Sequence, residues 1–147
     1  MTGLFFSVAA GILMSIQGTF NTRVTEVLGA NLTNLLVQGL GFFVMLAVSM
    51  LSGGFGGLKN LGEVNRLYLL GGIIGVVIVY TVIKGIDSLG VTTAILLILL
   101  AQLSMAAVID YFGLFGTEKV AFAWNKWLGL LLMIGGILFF QGGFKFK

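Results

Sequence analysis

The chain is 147 residues long, one ordinary domain, with 59% hydrophobic and only 9% charged residues and a mean hydropathy of +1.13. Soluble domains run about 25% charged, so eight basic and five acidic side chains cannot clothe a water-soluble surface, and the chain reads as an integral membrane protein. Histidine and cysteine are both absent, which excludes disulfides, Cys/His metal sites and His-dependent catalysis, and a scattered net charge of +3 offers nucleic acid no basic patch.

A spanning helix needs about 20 apolar residues to cross ~30 Å of hydrocarbon. Continuous apolar runs predict five helices, since open strand edges cannot be satisfied in lipid. The first is expected over Leu4–Thr22. It lacks the basic leader and cleavage site of a signal peptide, so it is expected to be retained. Ser7, Gly11, Gly18, Asn21 and Thr22 share one arc of this helix, with Gln17 at its edge. Phe5, Ala9, Ile12, Ile16 and Phe20 lie opposite, toward lipid. Arg23 and Glu26 follow as headgroup contacts.

The second span is expected over Leu32–Leu51, with Asn31, Asn34, Gln38, Met45, Ser49 and Ser52 on one face. Ser52 to Arg66 reads as a glycine-rich connection carrying Lys59, Glu63 and Arg66 on an interfacial helical turn. The third span, Leu67–Ile83, opens with Gly71, Gly72 and Gly75, whose small-residue spacing lets helices approach closely. Lys84 to Gly90 reads as a tight hairpin with a Lys84–Asp87 ion pair.

The fourth span, Val91–Asp110, places Thr92, Gln102, Ala106 and Asp110 on one face. Two readings of Asp110 stand: a solvated interface anchor, or a carboxylate in a wet vestibule that carries a proton or cation. Tyr111 to Lys126 is the longest link, with Trp124 and Trp127 at headgroup level. The fifth span is expected over Trp127–Gly142, where Gly129, Gly135 and Gly136 serve packing.

Lys and Arg in short loops orient a membrane protein, the richer side being cytoplasmic. Five spans put Lys59, Arg66, Lys119 and Lys126 on one side and Arg23, Lys84, Lys145 and Lys147 on the other, four against four. A tie predicts insertion in both orientations, with a fixed orientation set by a partner protein as the alternative. Two opposed copies then form an antiparallel homodimer, a ten-helix inverted repeat of the kind that places a transporter's solute site near midplane. Gln17, Asn21, Gln38 and Gln102 are candidate path residues, with inter-helix glue as the alternative role for the three glutamines.

Several runs together resemble a known family. They are Gln17-Gly18-Thr-Phe-Asn21-Thr-Arg23, Gly71-Gly72-Ile-Ile-Gly75, Leu89-Gly90-Val91, Gln102, Ile109-Asp110-Tyr-Phe112-Gly113-Leu114-Phe-Gly116, Leu128-Gly129 and Gly135-Gly136. In order they are similar to the YdcZ-like five-helix branch of the drug/metabolite transporter superfamily, over nearly the whole chain. The resemblance implies a prokaryotic inner-membrane exporter, acting as a dual-topology protein or with a sibling of opposite orientation. It marks Gln17, Asn21, Gln102 and Asp110. Tyr111 stands where the family often has histidine, which removes a titrating neighbour of Asp110, and Ala101 stands where glycine is usual. Related four-helix exporters use a glutamate in their first helix, and the expected first helix here has no acid at all.

The expectation is therefore an all-α membrane transporter with no cofactor and no metal, embedded in lipid and moving a small solute. An ion channel formed by a dual-topology dimer and a non-transporting assembly subunit remain the alternatives. Five acids without histidine or cysteine leave little for an enzyme.

Overall fold

A computed structural model describes residues 2–121, 123–140 and 142. Among them there is no strand, as expected for a chain that must satisfy every backbone group within its own segment. Five α-helices follow in order: α1 (Thr2–Leu28), α2 (Ala30–Ser52), α3 (Gly71–Leu89), α4 (Val91–Phe112) and α5 (Trp124–Phe140). The first four are long and apolar enough to cross a membrane, α3 counting the five-residue 3-10 turn Arg66–Leu70 that leads into it. At 17 residues α5 is a shorter apolar helix, about 25 Å long. Gln141, the penultimate position of the expected fifth span, lies outside the described residues, as do Lys145 and Lys147.

The helices run further than the apolar stretches that announce them. Hydropathy ends the first span at Thr22, yet α1 continues through Arg23 and Glu26 to Leu28. Its 27 residues measure about 40 Å, so the last turns outrun the hydrocarbon and carry their charges into the headgroup layer. Likewise the expected hairpin at Lys84 to Gly90 is helical as far as Leu89. Lys84 and Asp87 form no ion pair with each other among the described residues; Arg23 and Glu26 do, at 2.9 Å and largely exposed. Such a pair contributes little to stability. The expected interfacial helix after α2 is a 3-10 helix, Gly54–Glu63.

What ends α1 and α3 is one glycine each. Gly29 has φ 75° and ψ 157°, and Gly90 has φ 78° and ψ 162°. This corner of backbone space belongs essentially to glycine. Both glycines close a basic-x-x-acidic-x-Leu-Gly run, Arg23 to Gly29 and Lys84 to Gly90. In both cases the glycine carbonyl accepts the first bond of the next helix, from Thr33 N and Ala94 N at 3.1 Å each. One residue between helices replaces a loop whose polar groups would otherwise need water.

The chain divides into two compact units, Met1–Asp87 and Ser88–Lys147. In the first, α1 packs on α2, and Gly18 of α1 admits α3: a methyl group there would stand 2.8 Å from Ile86 Cδ1 and 3.3 Å from Val82 Cγ1. Ile83 and Ile86 are buried. So are four polar residues, Asn21 and Thr22 on α1 and Thr33 and Asn34 on α2. The exterior is Leu, Ile, Val and Phe along every helix. Polar inside and apolar outside is the distribution that hydrocarbon favours. In the second unit α5 packs on α4.

Gly29→Ala and Gly90→Ala should each destabilise the protein by about 1–3 kcal/mol, because alanine resists that backbone corner. Gly39→Ala, in α2 with open space around it, should be neutral or mildly stabilising. Thermal unfolding of the purified variants in detergent checks the contrast; equal midpoints would contradict it.

Candidate functional site

Hydroxyl and amide side chains part company in this fold. Ser7, Ser15, Thr19, Thr22, Thr25, Thr33, Thr81 and Ser104 each donate to the carbonyl four residues back, at 2.8 to 3.2 Å. A hydroxyl can do this because its side chain is short and it needs one acceptor. An amide brings two donors and two acceptor sites and cannot be satisfied so locally. The amides are therefore where unspent hydrogen-bonding capacity collects.

Three of them share a groove. Asn31, Asn34 and Gln38 stand at i, i+3 and i+7 on α2, which sets them on one helical face. With Leu35 on α2 and Val76, Val77 and Tyr80 on α3 they line a cavity of about 410 Å³, open at its mouth. Asn34 fixes the wall: its Nδ2 donates to the Val76 carbonyl oxygen at 2.8 Å, tying α2 to α3. That bond also fixes the amide's orientation, since the opposite assignment would face one oxygen with another. Asn34 is 5% exposed, and its Oδ1 is buried with no hydrogen-bond partner. Gln38 is half-buried, with Nε2 3.9 Å from where a side chain at Gly75 would begin.

The other expected site residues fall as follows. In the first unit Asn21 is buried on α1 and Gln17 is exposed on the same helix. Gly71 and Gly72, at the start of α3, are exposed with nothing within 4 Å of a would-be Cβ. In the second unit Gln102 is exposed on α4, and Asp110 is half-buried two residues before that helix ends.

The Asp110 carboxylate makes no ion pair among the described residues. Its backbone carbonyl accepts from Val120 N at 3.0 Å and so closes the loop beyond α4. That loop holds Phe115 at φ 59°, a left-handed position unusual for an aromatic residue. Also in the second unit, a groove of about 480 Å³ runs between α4 and α5, walled by Tyr111, Phe112 and Trp127, and its Ser104 hydroxyl is committed to the Leu100 carbonyl. No group of three or more potential metal ligands occurs among the described residues.

The amide stripe on α2 is legible in the sequence. The walls opposite it, Val76, Val77 and Tyr80, are not, because only the packing of α3 on α2 selects them. Nor does spacing single out Asn34 within the stripe. Its bond across 42 residues of chain does that.

Asn34→Leu keeps the branched outline of the side chain while removing the orphaned oxygen, so its thermal midpoint should equal or exceed the parent's. Asn34→Asp loses the donor and sets a carboxylate against the Val76 carbonyl, and should destabilise by about 3 kcal/mol or more. Unfolding in detergent separates the two; loss of stability in both would mean that the Val76 bond outweighs the orphan.

Comparison with known proteins agrees with this membrane architecture. The family model described as "Putative inner membrane exporter, YdcZ" matches residues 2–139. The inner membrane protein YdcZ of Escherichia coli strain K12 is 27% identical over 137 residues, covering 92% of each chain. No solved structure matches. With its helical spans and a family match over almost its entire length, the chain is a multi-pass inner membrane protein and belongs to the YdcZ family of inner membrane exporters.

Proposed function

We infer that the protein is a secondary transporter that exports small polar or amphipathic solutes by alternating access, built from two copies of opposite orientation. The observation that carries this reading is the tie in cationic flanks, four Lys or Arg on either side of five crossings. Neither side wins the orienting contest, so both insertions proceed. The longer α1 and α3 leave the tally unchanged, because Arg23 and Lys84 stay near the same membrane faces. The reading takes α5 as the fifth crossing, with mild thinning of the bilayer or snorkelling at its ends.

Two further features support it. Gly71 and Gly72 present open backbone that no described residue fills, a surface suited to a helix of a second copy or of a sibling chain. The amides Gln17, Asn21, Gln38 and Gln102 supply hydrogen-bonding capacity in an otherwise greasy molecule, and form the proposed solute path. Asp110 is the proposed proton or cation carrier, as the acid on the polar face of α4. The reading calls on no cofactor, no metal and no nucleic acid.

Reporter fusions to Lys147 test the orientation. A periplasm-active and a cytoplasm-active reporter should both work, in comparable amounts. Gly57→Lys with Gly62→Lys adds two cations to one side and should silence most of one reporter. A parent protein that lights only one reporter would end the dual-topology reading. For coupling, Asp110→Asn should reduce transport driven by a proton or cation gradient at least tenfold, with solute counterflow kept. A channel would instead show no counterflow in proteoliposomes.

A further inference from the structure

The groove between α2 and α3 joins two features that seldom occur together: apolar walls and a buried carbonyl oxygen lacking a donor. On these two helices the Thr33 and Thr81 hydroxyls fold back on carbonyls one turn away. Among the described residues Asn34 Oδ1 is the fully buried side-chain oxygen with no hydrogen-bond partner, and an unmatched buried acceptor costs about 1–3 kcal/mol. The cost falls if something in the groove brings a donor to it.

We propose that this groove binds a neutral, mostly apolar solute carrying a single N–H or O–H donor, which Asn34 Oδ1 accepts while Asn31 and Gln38 flank it. Neutrality follows from the lining, which includes no Lys, Arg, Asp or Glu. An ion there would lose its hydration with no countercharge in return. The apolar body follows from Leu35, Val76, Val77 and the Tyr80 ring, and the size from a cavity of about 410 Å³, within the ~300–1,000 Å³ usual for small-molecule sites. Because the oxygen is covered, the solute's donor reaches it as α2 and α3 separate. Binding is thereby coupled to opening of the Asn34–Val76 clamp, which is the type of coupling an exporter needs. The proposal rests on the export reading for its purpose and not for its chemistry.

Indole and N-methylindole form a matched pair of probes, differing in the one N–H. Binding to the full-length protein in lipid nanodiscs, with empty nanodiscs subtracted, should favour indole at least tenfold. The bias of simple lipid partitioning runs the other way, since the methylated probe is the more apolar. Asn34→Leu should bring the ratio to about one. Val77→Trp, which fills the groove while leaving the Asn34 amide in the sequence, should abolish binding of both probes.

Equal binding of the two probes to the parent protein would overturn the proposal. So would discrimination that survives Asn34→Leu, or no binding above empty nanodiscs, which would leave the groove to acyl chains or a second copy. Counterflow of indole in proteoliposomes is read separately. Binding with discrimination but no transport would retain the site and remove the export reading; transport untouched by Asn34→Leu and Val77→Trp would do the reverse.

Discussion

A hydrogen-bonding group in hydrocarbon has no water to turn to, and most of this fold follows from that. Backbone groups are satisfied within helices, so the helices are long and two of their connections shrink to one residue. Hydroxyls fold back on the carbonyls one turn behind them. The connections after α1 and α3 are compressed into Gly29 and Gly90, whose backbone angles agree within a few degrees. A longer loop would expose donors and acceptors at the membrane boundary.

The same constraint turns the usual order of a protein inside out. The buried positions include Asn21, Thr22, Thr33 and Asn34 beside Ile83 and Ile86, while large apolar side chains face outward along every helix. With lipid as the solvent, apolar burial drives little association between helices, and close backbone approach counts for more. Gly18 shows this within the chain, where α3 side chains occupy the space a methyl group would take. Gly71 and Gly72 offer the same type of surface without an occupant among the described residues.

Amides are the residue type that local bonding cannot satisfy, so they mark where the fold holds hydrogen-bonding capacity in reserve. Asn34 shows both uses of it. One half of its amide ties α2 to α3 through the Val76 carbonyl, and the other half is left without a partner beside an apolar groove. A single side chain thus links the packing of two membrane helices to what the groove could hold. An apolar residue of equal volume would fit the space and break that link.

Composition alone determined the membrane setting: so few charges on so apolar a chain leave no soluble solution, and helices are the spanning form a single chain of this pattern can take. Helix number, the amide face of α2 and the family resemblance were legible too, since each depends on residues near one another in sequence. Helix ends were not. Hydropathy senses the apolar stretch, whereas Arg23, Lys84 and Asp87 continue a helix past the hydrocarbon because backbone hydrogen bonds carry on until a glycine breaks them. Tertiary structure alone decided that Asn34, among several amides, would be buried with a bond to Val76, and that Tyr80 would face it. Those pairings arise from how α3 lies on α2, a long-range fit of surfaces that no local pattern encodes.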